Sequence, residues 1–401
     1  MFGKDGMTAI HADLLDIALA IYHYEKMQNR YQLINPTVKA TMKIALRSPE
    51  VWTANNLQLL TSCLSMMGNM DWEIRTIKSQ SRKPYEMDRS ETTVKKVILF
   101  SGGMDSTAGI AAVPDSEKKE TLLCSYYSKQ KTMQREIGTS LGYAGSQHFQ
   151  FWSILSSTEM EGRNRSFFYR SLLFLVVAAI LADSYGASEV VQYENGILAT
   201  SIPPSPSIVM TKHAHPFLHR QFSELLSNVF GRPFTINNPF LGLTKRECVD
   251  MAVKAIGKRP FQQLLERTET CWFRYSNFTL GGKHKSPNEE CGICIPCIIR
   301  RTAFPESKFA IDRNDPSGEW KNHPSYGEAF RSYYAFTRQI AGIRSGSTGR
   351  QQLEFYKLLP AAGRLYFNLD KPTDFPLPDP EAVLYRMFRK FAKEFQQTFK
   401  S

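Results

Sequence analysis

The 401-residue chain has no apolar run long enough to span a bilayer: the longest, from Ser171 to Ala182, is twelve residues. It has no charged start followed by an apolar segment, so no secretory leader is expected. It has no internal repeat and no low-complexity tract. It has no Gly-x-x-x-x-Gly-Lys-Ser/Thr, which excludes a Walker-type phosphate loop. Its seven cysteines are odd in number and four cluster, which argues against a secreted disulfide scaffold and for a reduced cytoplasm. What is present is ordinary globular usage, 42% apolar and 22% charged. Fifty basic residues against thirty-eight acidic ones give a net charge of +12, which suits phosphate-bearing partners or acidic proteins. The basic residues are spread out with no polybasic tail, so nucleic acid stays a secondary alternative to a nucleotide, and no membrane partner is expected.

Patterning divides the chain into three. In residues 1–92, Leu14, Leu15, Ile17, Ala18, Ala20 and Ile21 recur at helical period, as do Leu57, Leu59, Leu60, Cys63, Leu64 and Met67. Residues 41–46 and 72–77 alternate as half-buried strands do, and the polar stretch 78–93 reads as a linker. An N-terminal α+β accessory domain is therefore expected. Residues 93–305 alternate strands (96–100, 121–126, 148–154, 188–193, 233–238) with helices (105–112, 132–141, 169–185, 216–230). That pattern predicts an α/β fold, a doubly wound parallel sheet of about five strands. Residues 306–401 are expected to be a helical C-terminal region. Asp379 as N-cap, Pro380 and Glu381 open its last helix, where Leu384, Phe388, Phe391, Phe395 and Phe399 share one face. Such a stripe suits a core, a homodimer seam or closure over a pocket.

An apolar strand runs directly into Ser101-Gly102-Gly103-Met104-Asp105-Ser106-Thr107, and a helix follows. Two glycines allow a tight turn with successive N–H groups facing one ligand. At a helix N-terminus such a nest binds anionic oxygens, and the Ser101, Ser106 and Thr107 hydroxyls add donors. The alternative is an ordinary connection whose serines cap a helix. The segment resembles the pyrophosphate (PP) loop of the ATP-pyrophosphatase superfamily, whose members form an adenylate from ATP and displace AMP with a nitrogen or sulfur nucleophile. The strand before it should then be central, with the ligand at the carboxyl ends of the strands.

Cys271 and the run Cys291-Gly292-Ile293-Cys294-Ile295-Pro296-Cys297 place four thiols within 27 residues. Four thiolates so spaced can close a tetrahedral zinc site in a knuckle. An iron–sulfur cluster or a redox pair can use the same residues. Cys63, Cys124 and Cys248 lie in apolar contexts and read as core.

The PP-loop followed by this cysteine set resembles the QueC family, the 7-cyano-7-deazaguanine (preQ0) synthases, over about residues 94–305. The resemblance implies an ATP-dependent enzyme that adenylates 7-carboxy-7-deazaguanine, with Mg²⁺ and Zn²⁺. Asp105 would contact Mg²⁺. The family's Arg-Asn element has two counterparts: Gly162-Arg163-Asn164 copies the spelling, but Arg170 has the right distance to Gly186-Ala187, seven residues shorter, and is taken as the match. Arg170 offers a bidentate fork to phosphate or carboxylate. Lys245, in a segment resembling the family's Pro…Thr-Lys element, would be a mobile cation for the phosphates.

The family's Tyr-Pro-Asp-Cys-Arg-Pro substrate segment is absent. In its place stand Glu194-Asn195-Gly196, a loop with Pro203, Pro204 and Pro206, and His213-Ala214-His215-Pro216. With the added lead domain, these changes resemble a divergent QueC-like branch encoded in bacterial anti-phage defence operons such as Qat and type IV CBASS. That implies a protein amine from the same operon in place of ammonia. Glu194 can accept two N–H donors of a guanine-like edge, or be a turn residue beside Asn195. His213 and His215 can bind phosphate, move protons or order a loop. Three other readings stand beside this one: true preQ0 synthesis from ammonia, tRNA thiolation, and a nucleotide-binding scaffold without turnover.

Overall fold

The structure, a computed structural model, describes residues 7–27, 39–68, 70–79, 94–127, 130–152, 168–205, 208, 210–273, 279–280, 283–286, 289–344, 346–358 and 377–399. The elements used below are, in chain order, α1 (Ala9–Met27), β1 (Lys39–Leu46), α2 (Ala54–Gly68), β2 (Asp71–Lys78), β3 (Lys96–Leu99), α3 (Met104–Ala112), β4 (Thr121–Tyr126), α4 (Lys131–Ser140), β5 (His148–Phe151), α5 (Arg170–Ser184), β6 (Glu189–Gln192), α6 (Pro216–Phe230), β7 (Thr235–Asn237), α7 (Lys245–Ile256), α8 (Ile295–Ala303), α9 (Glu328–Ala341) and α10 (Pro380–Thr398). No helix among the described residues is long and apolar enough to cross a membrane.

The chain forms two compact units, and each is interleaved in sequence. The first holds residues 1–101, 113–193 and 211–239. Its sheet has the order β5-β4-β3-β6-β7 with every pairing parallel. The buried run Thr121–Ser125 in β4 is what a sheet covered on both faces requires. The chain builds outward from β3 to β5, then restarts on the other flank of β3 with β6, where Leu99 pairs with Gln192. That reversal beside the central strand is where open α/β sheets place their ligands. The predicted five strands are thus present, with β5 ending at Phe151.

The lead segment contributes a second, two-stranded parallel sheet. Lys39 pairs with Asp71 and Leu46 with Lys78. It does not build a core of its own. Leu14, Ile17 and Ile21 of α1 and Leu60 and Leu64 of α2 share one buried cluster with Val97, Leu172, Val190 and Leu226, since α1 packs on α5 and α2 on α6. Boundaries at 92 and 305 therefore do not follow the packing: the expected accessory domain and the main sheet share one core. From residue 80 onward the expected linker lies outside the described residues, as do Ile154, Gly162, Arg163, Asn164 and Pro206.

The second unit holds residues 102–112, 194–210 and 240–401. Here α3 packs on α7, and α10 on α8 and α9. Asp379 does cap α10, accepting from the Ala382 N–H at 3.2 Å. The aromatic stripe is core: Phe388, Phe391 and Phe395 are at most 1% exposed and pack with Phe330, Tyr333 and Phe336.

Candidate active site

The chain leaves β3 through Ser101 to Gly103 and enters α3 at Met104. Gly102 has φ of 78°, a conformation that favours glycine, and this lets the strand turn sharply into the helix. The Gly102 carbonyl accepts from the Glu269 N–H at 3.2 Å. Ser106 donates to the Gly103 carbonyl at 3.2 Å. Thr107 is fully buried and its hydroxyl has no hydrogen-bond partner. In the first unit, Gln134 holds the Ser101 carbonyl at 3.0 Å.

Asp105, on the first turn of α3, is the centre of a buried polar cluster in the second unit. Its Oδ2 accepts from Lys245 Nζ at 2.7 Å and from Asn195 Nδ2 at 2.9 Å. The Asn195 amide also donates to Glu194 Oε1 at 3.1 Å. Burial opposes ionisation of Asp105, but the Lys245 ammonium and side-chain hydrogen bonds with Glu194, Lys245 and Asn195 hold its carboxyl below the ordinary carboxylate value. Its Oδ1 is buried and has no N–H donor. Lys245 is 1% exposed, so its ammonium is fixed on Asp105 and is not the mobile cation that the motif implied.

Local sequence explains how these groups meet. Lys245 opens α7, which Thr244 and Glu247 begin with a capping box: the Thr244 hydroxyl accepts from the Glu247 N–H at 3.3 Å, and Glu247 Oε2 accepts from the Thr244 N–H at 2.8 Å. Asn195 caps the short helix Gly196–Ala199, accepting from the Leu198 N–H at 3.3 Å, which orients its amide toward Asp105. Gly196 is required by close approach, since a Cβ there would lie 2.1 Å from the Leu241 carbonyl oxygen and 2.2 Å from Met387 Sδ. The Glu194-Asn195-Gly196 turn is thereby tied to α10. Cys248, one turn along α7, is fully buried and its thiol is pushed well above the ordinary value by burial and by Asp105. It is core beside the site, not a nucleophile.

The other predicted residues have partners of their own in the first unit. Arg170 opens α5, with its guanidinium 5.4 Å from the Phe174 ring. Burial lowers its pKa, and Tyr22, Tyr126 and Glu25 oppose that shift. Glu25, from α1, accepts N–H donors from Phe168 and Tyr169 just before α5. His215 is 1% exposed and caps α6, with Nδ1 accepting from the Phe217 N–H at 3.2 Å. That bond fixes Nε2 as the protonated nitrogen of the neutral ring, and Nε2 has no partner. Burial, with Lys212 and His219, lowers the His215 pKa to about 3. His213 Nδ1 lies 3.1 Å from the Thr211 hydroxyl.

The four predicted cysteines converge. All Sγ atoms of Cys271, Cys291, Cys294 and Cys297 lie within 4.8 Å of one another, with Cys291–Cys297 and Cys294–Cys271 at 4.0 Å. Tetrahedral Zn–S bonds of about 2.3 Å require sulfurs separated by about 3.8 Å. The Cys291 N–H points at Cys271 Sγ (3.2 Å), and the Ile293 and Cys294 N–H groups at Cys291 Sγ (both 3.4 Å), as thiolates held by a metal accept. Gly292, at φ of 83°, makes this knuckle possible. The donor set fits a closed structural zinc site, in which the ion would cross-link the knuckle and leave no position for water.

A parallel sheet with a PP-loop at its central strand and a four-cysteine knuckle defines an α/β protein of the PP-loop type. The chain is QueC-like: residues 155–308 match the sequence model of the family described as queuosine biosynthesis protein QueC. That span holds Glu194, Asn195, Lys245 and all four cysteines, but not residues 101–107. The 7-cyano-7-deazaguanine synthase of Gloeobacter violaceus is 24% identical over 255 residues, 57% of this chain and 98% of that protein. Those of Bacillus subtilis (26% over 231 residues; 53% and 94%) and Paracidovorax citrulli (25% over 232; 51% and 92%) are similar at the same distance.

Proposed function

We propose that this protein is an ATP-using enzyme that adenylates a 7-deazaguanine carboxylate and passes the acyl group to an amine. In the first step a carboxylate oxygen attacks the α-phosphorus of ATP and pyrophosphate leaves. In the second an amine attacks the acyl carbon, AMP leaves, and the amine gives up a proton. The observation that carries the reading is the buried Lys245–Asp105 pair at the start of the helix that follows Ser101-Gly102-Gly103. A dry, fixed cation at a loop built to bind phosphate offers the preorganised charge that a developing pyrophosphate needs. The backbone N–H groups of residues 102–103, with Ser106 and Thr107, would hold the phosphates. Asp105 is the residue that would hold Mg²⁺, which would supply positive charge to the phosphates. Glu194 and Asn195 would receive the guanine-like edge, and Arg170 and His215 are further candidates for carboxylate or phosphate.

The acceptor separates two readings. Loss of the Tyr-Pro-Asp-Cys-Arg-Pro segment favours a redirected reaction, with a protein amine as acceptor. Similarity to named 7-cyano-7-deazaguanine synthases over more than nine-tenths of their length favours ammonia and a nitrile product. The test mixes protein, Mg-ATP and 7-carboxy-7-deazaguanine, with and without ammonium, and follows nucleotides and product masses. AMP formed only with the acid supports adenylation. An amide or nitrile mass selects small-molecule synthesis, and AMP with neither directs the search to a protein amine. No acid-dependent AMP would remove the deazaguanine reading.

A further inference from the structure

We propose that Glu394, on the C-terminal helix α10 and outside the residues that match the family, is a positioning residue for Lys245. The inference rests on the reading of Lys245 and Asp105 as part of an ATP site. Lys245 occupies the first position of α7, the positive end of the helix, where a cation is least favoured. Its placement on Asp105 therefore depends on a first turn held by something other than its own charge.

The hydroxyl of Thr244 holds that turn, and it has only one proton. It accepts from the Glu247 N–H at 3.3 Å and donates to Glu394 Oε1 at 3.0 Å. Donation to Glu394 aims the lone pairs of Thr244 at the helix, so Glu394 sets the cap that sets Lys245. A carboxyl here is not explained by packing. Glu394 is 4% exposed on the same helix as Phe388, Phe391 and Phe395, and its Oε2 has no hydrogen-bond partner. Burying such a group costs more than an apolar residue would. The charged groups that face it are Arg246 and Glu247 of α7 and Lys390 of its own helix. The last two are paired with each other at 2.7 Å, and Arg246 donates to the Thr302 carbonyl. Thr244 is thus the hydrogen-bond partner that Glu394 keeps. Burial raises the Glu394 pKa to about 7, against its ordinary 4.5. Near neutrality its ionised form can only accept from Thr244, whereas its protonated form can donate elsewhere and release the cap.

The test measures Mg-ATP binding to the full chain by calorimetry at about pH 6 and about pH 8. Wild type is expected to bind more tightly at the higher pH. Glu394→Gln, which keeps an acceptor but cannot ionise, is expected to bind equally at both. Glu394→Leu, which fills the space with apolar volume, should weaken ATP about tenfold without lowering Tm. Thr244→Val should weaken it similarly, the double variant no further, and Thr244→Ser should behave as wild type. Unchanged ATP affinity and pH dependence in Glu394→Leu, with wild type binding ATP, would overturn the inference. If wild type binds no ATP, the ATP reading itself fails and the inference falls with it.

Discussion

Each compact unit contains a buried carboxylate facing a cation, and the two are finished differently. Asp13 in the first unit is saturated. Its Oδ1 accepts from the Arg47 backbone N–H at 2.8 Å and from Arg47 Nη1 at 3.1 Å, and its Oδ2 accepts from the Ser48 N–H at 2.8 Å. Arg47 also reaches Asp16 at 2.8 Å. Asp105 in the second unit is half-finished: Oδ2 takes Lys245 and Asn195, while Oδ1 has no N–H donor. A buried polar atom without a donor is expensive, so folds close such networks where they serve only the fold. The difference teaches which buried charge to test as structural and which as reserved for a ligand or Mg²⁺. The cysteine knuckle is a third case, four thiols of which three are buried. The convergence of its four sulfurs within 4.8 Å fits a metal.

The largest effect is expected at the knuckle. Purified protein should carry about one zinc per chain by elemental analysis, and Cys291→Ser should lose it together with the cooperative melting of the folded chain. Zinc-free wild-type protein that melts unchanged would remove the structural role. Next comes the pair of carboxylates. Asp105→Asn should lower acid-dependent AMP formation per folded molecule at least about a hundredfold, and because it leaves the Lys245 ammonium buried without its counter-charge it should also lower Tm. Asp13→Asn, which strips an acceptor from Ser48 and a charge from Arg47, should cost about 3 kcal/mol of stability and leave the rate per folded molecule unchanged. The reverse pattern would invert the assignment. Asp105→Ala is a poorer probe, since it also removes the acceptor that Lys245 and Asn195 share.

Acid titration sharpens the same contrast. The depressed pKa of Asp105 contributes stability that is fully present above its ordinary value of about 4 and is lost as pH falls through the lower folded value. In Lys245→Met the ammonium that opposes the effect of burial on Asp105 is gone, so the Asp105 pKa rises. The Asp105 carboxyl then prefers to be neutral and its protonation favours the fold, so the acid transition followed by circular dichroism should move to lower pH than in wild type, and an unmoved transition would mean that the pair is not formed in solution. The smallest effect is expected at His215. Loss of the cap in His215→Ala should cost about 1 kcal/mol, and His215→Asn should restore most of it. Because its pKa is depressed, the neutral ring stabilises the fold above its ordinary 6.5, and that contribution declines as pH falls toward about 3. Lost AMP formation in a stable His215→Asn would assign the Nε2 proton to substrate.

Much of this was legible in local pattern. The five strands, the loop after the central one, the knuckle ligands and the N-cap of the last helix each follow from residue spacing or from dihedral demands that act over a few residues. Other features depended on distant partners. Lys245 read as a mobile phosphate ligand because nothing near it in sequence reveals that Asp105, 140 positions earlier, takes its charge. Glu394 left no signal at all, being one acid among many until Thr244 appears beside it. The lead segment read as a separate domain because its helices have complete apolar stripes, and a stripe does not say what it will face; α1 and α2 face α5 and α6.

Local pattern in the amino-acid sequence is enough for the parallel α/β architecture, the glycine turn after the central strand and the four-thiol knuckle. Periodicity, glycine conformation and ligand spacing are all local constraints. Tertiary structure alone decided which buried charges are closed and which remain open, and which stretches share a core. Burial and pairing are properties of groups far apart in the chain, and only folding sets the distances between them.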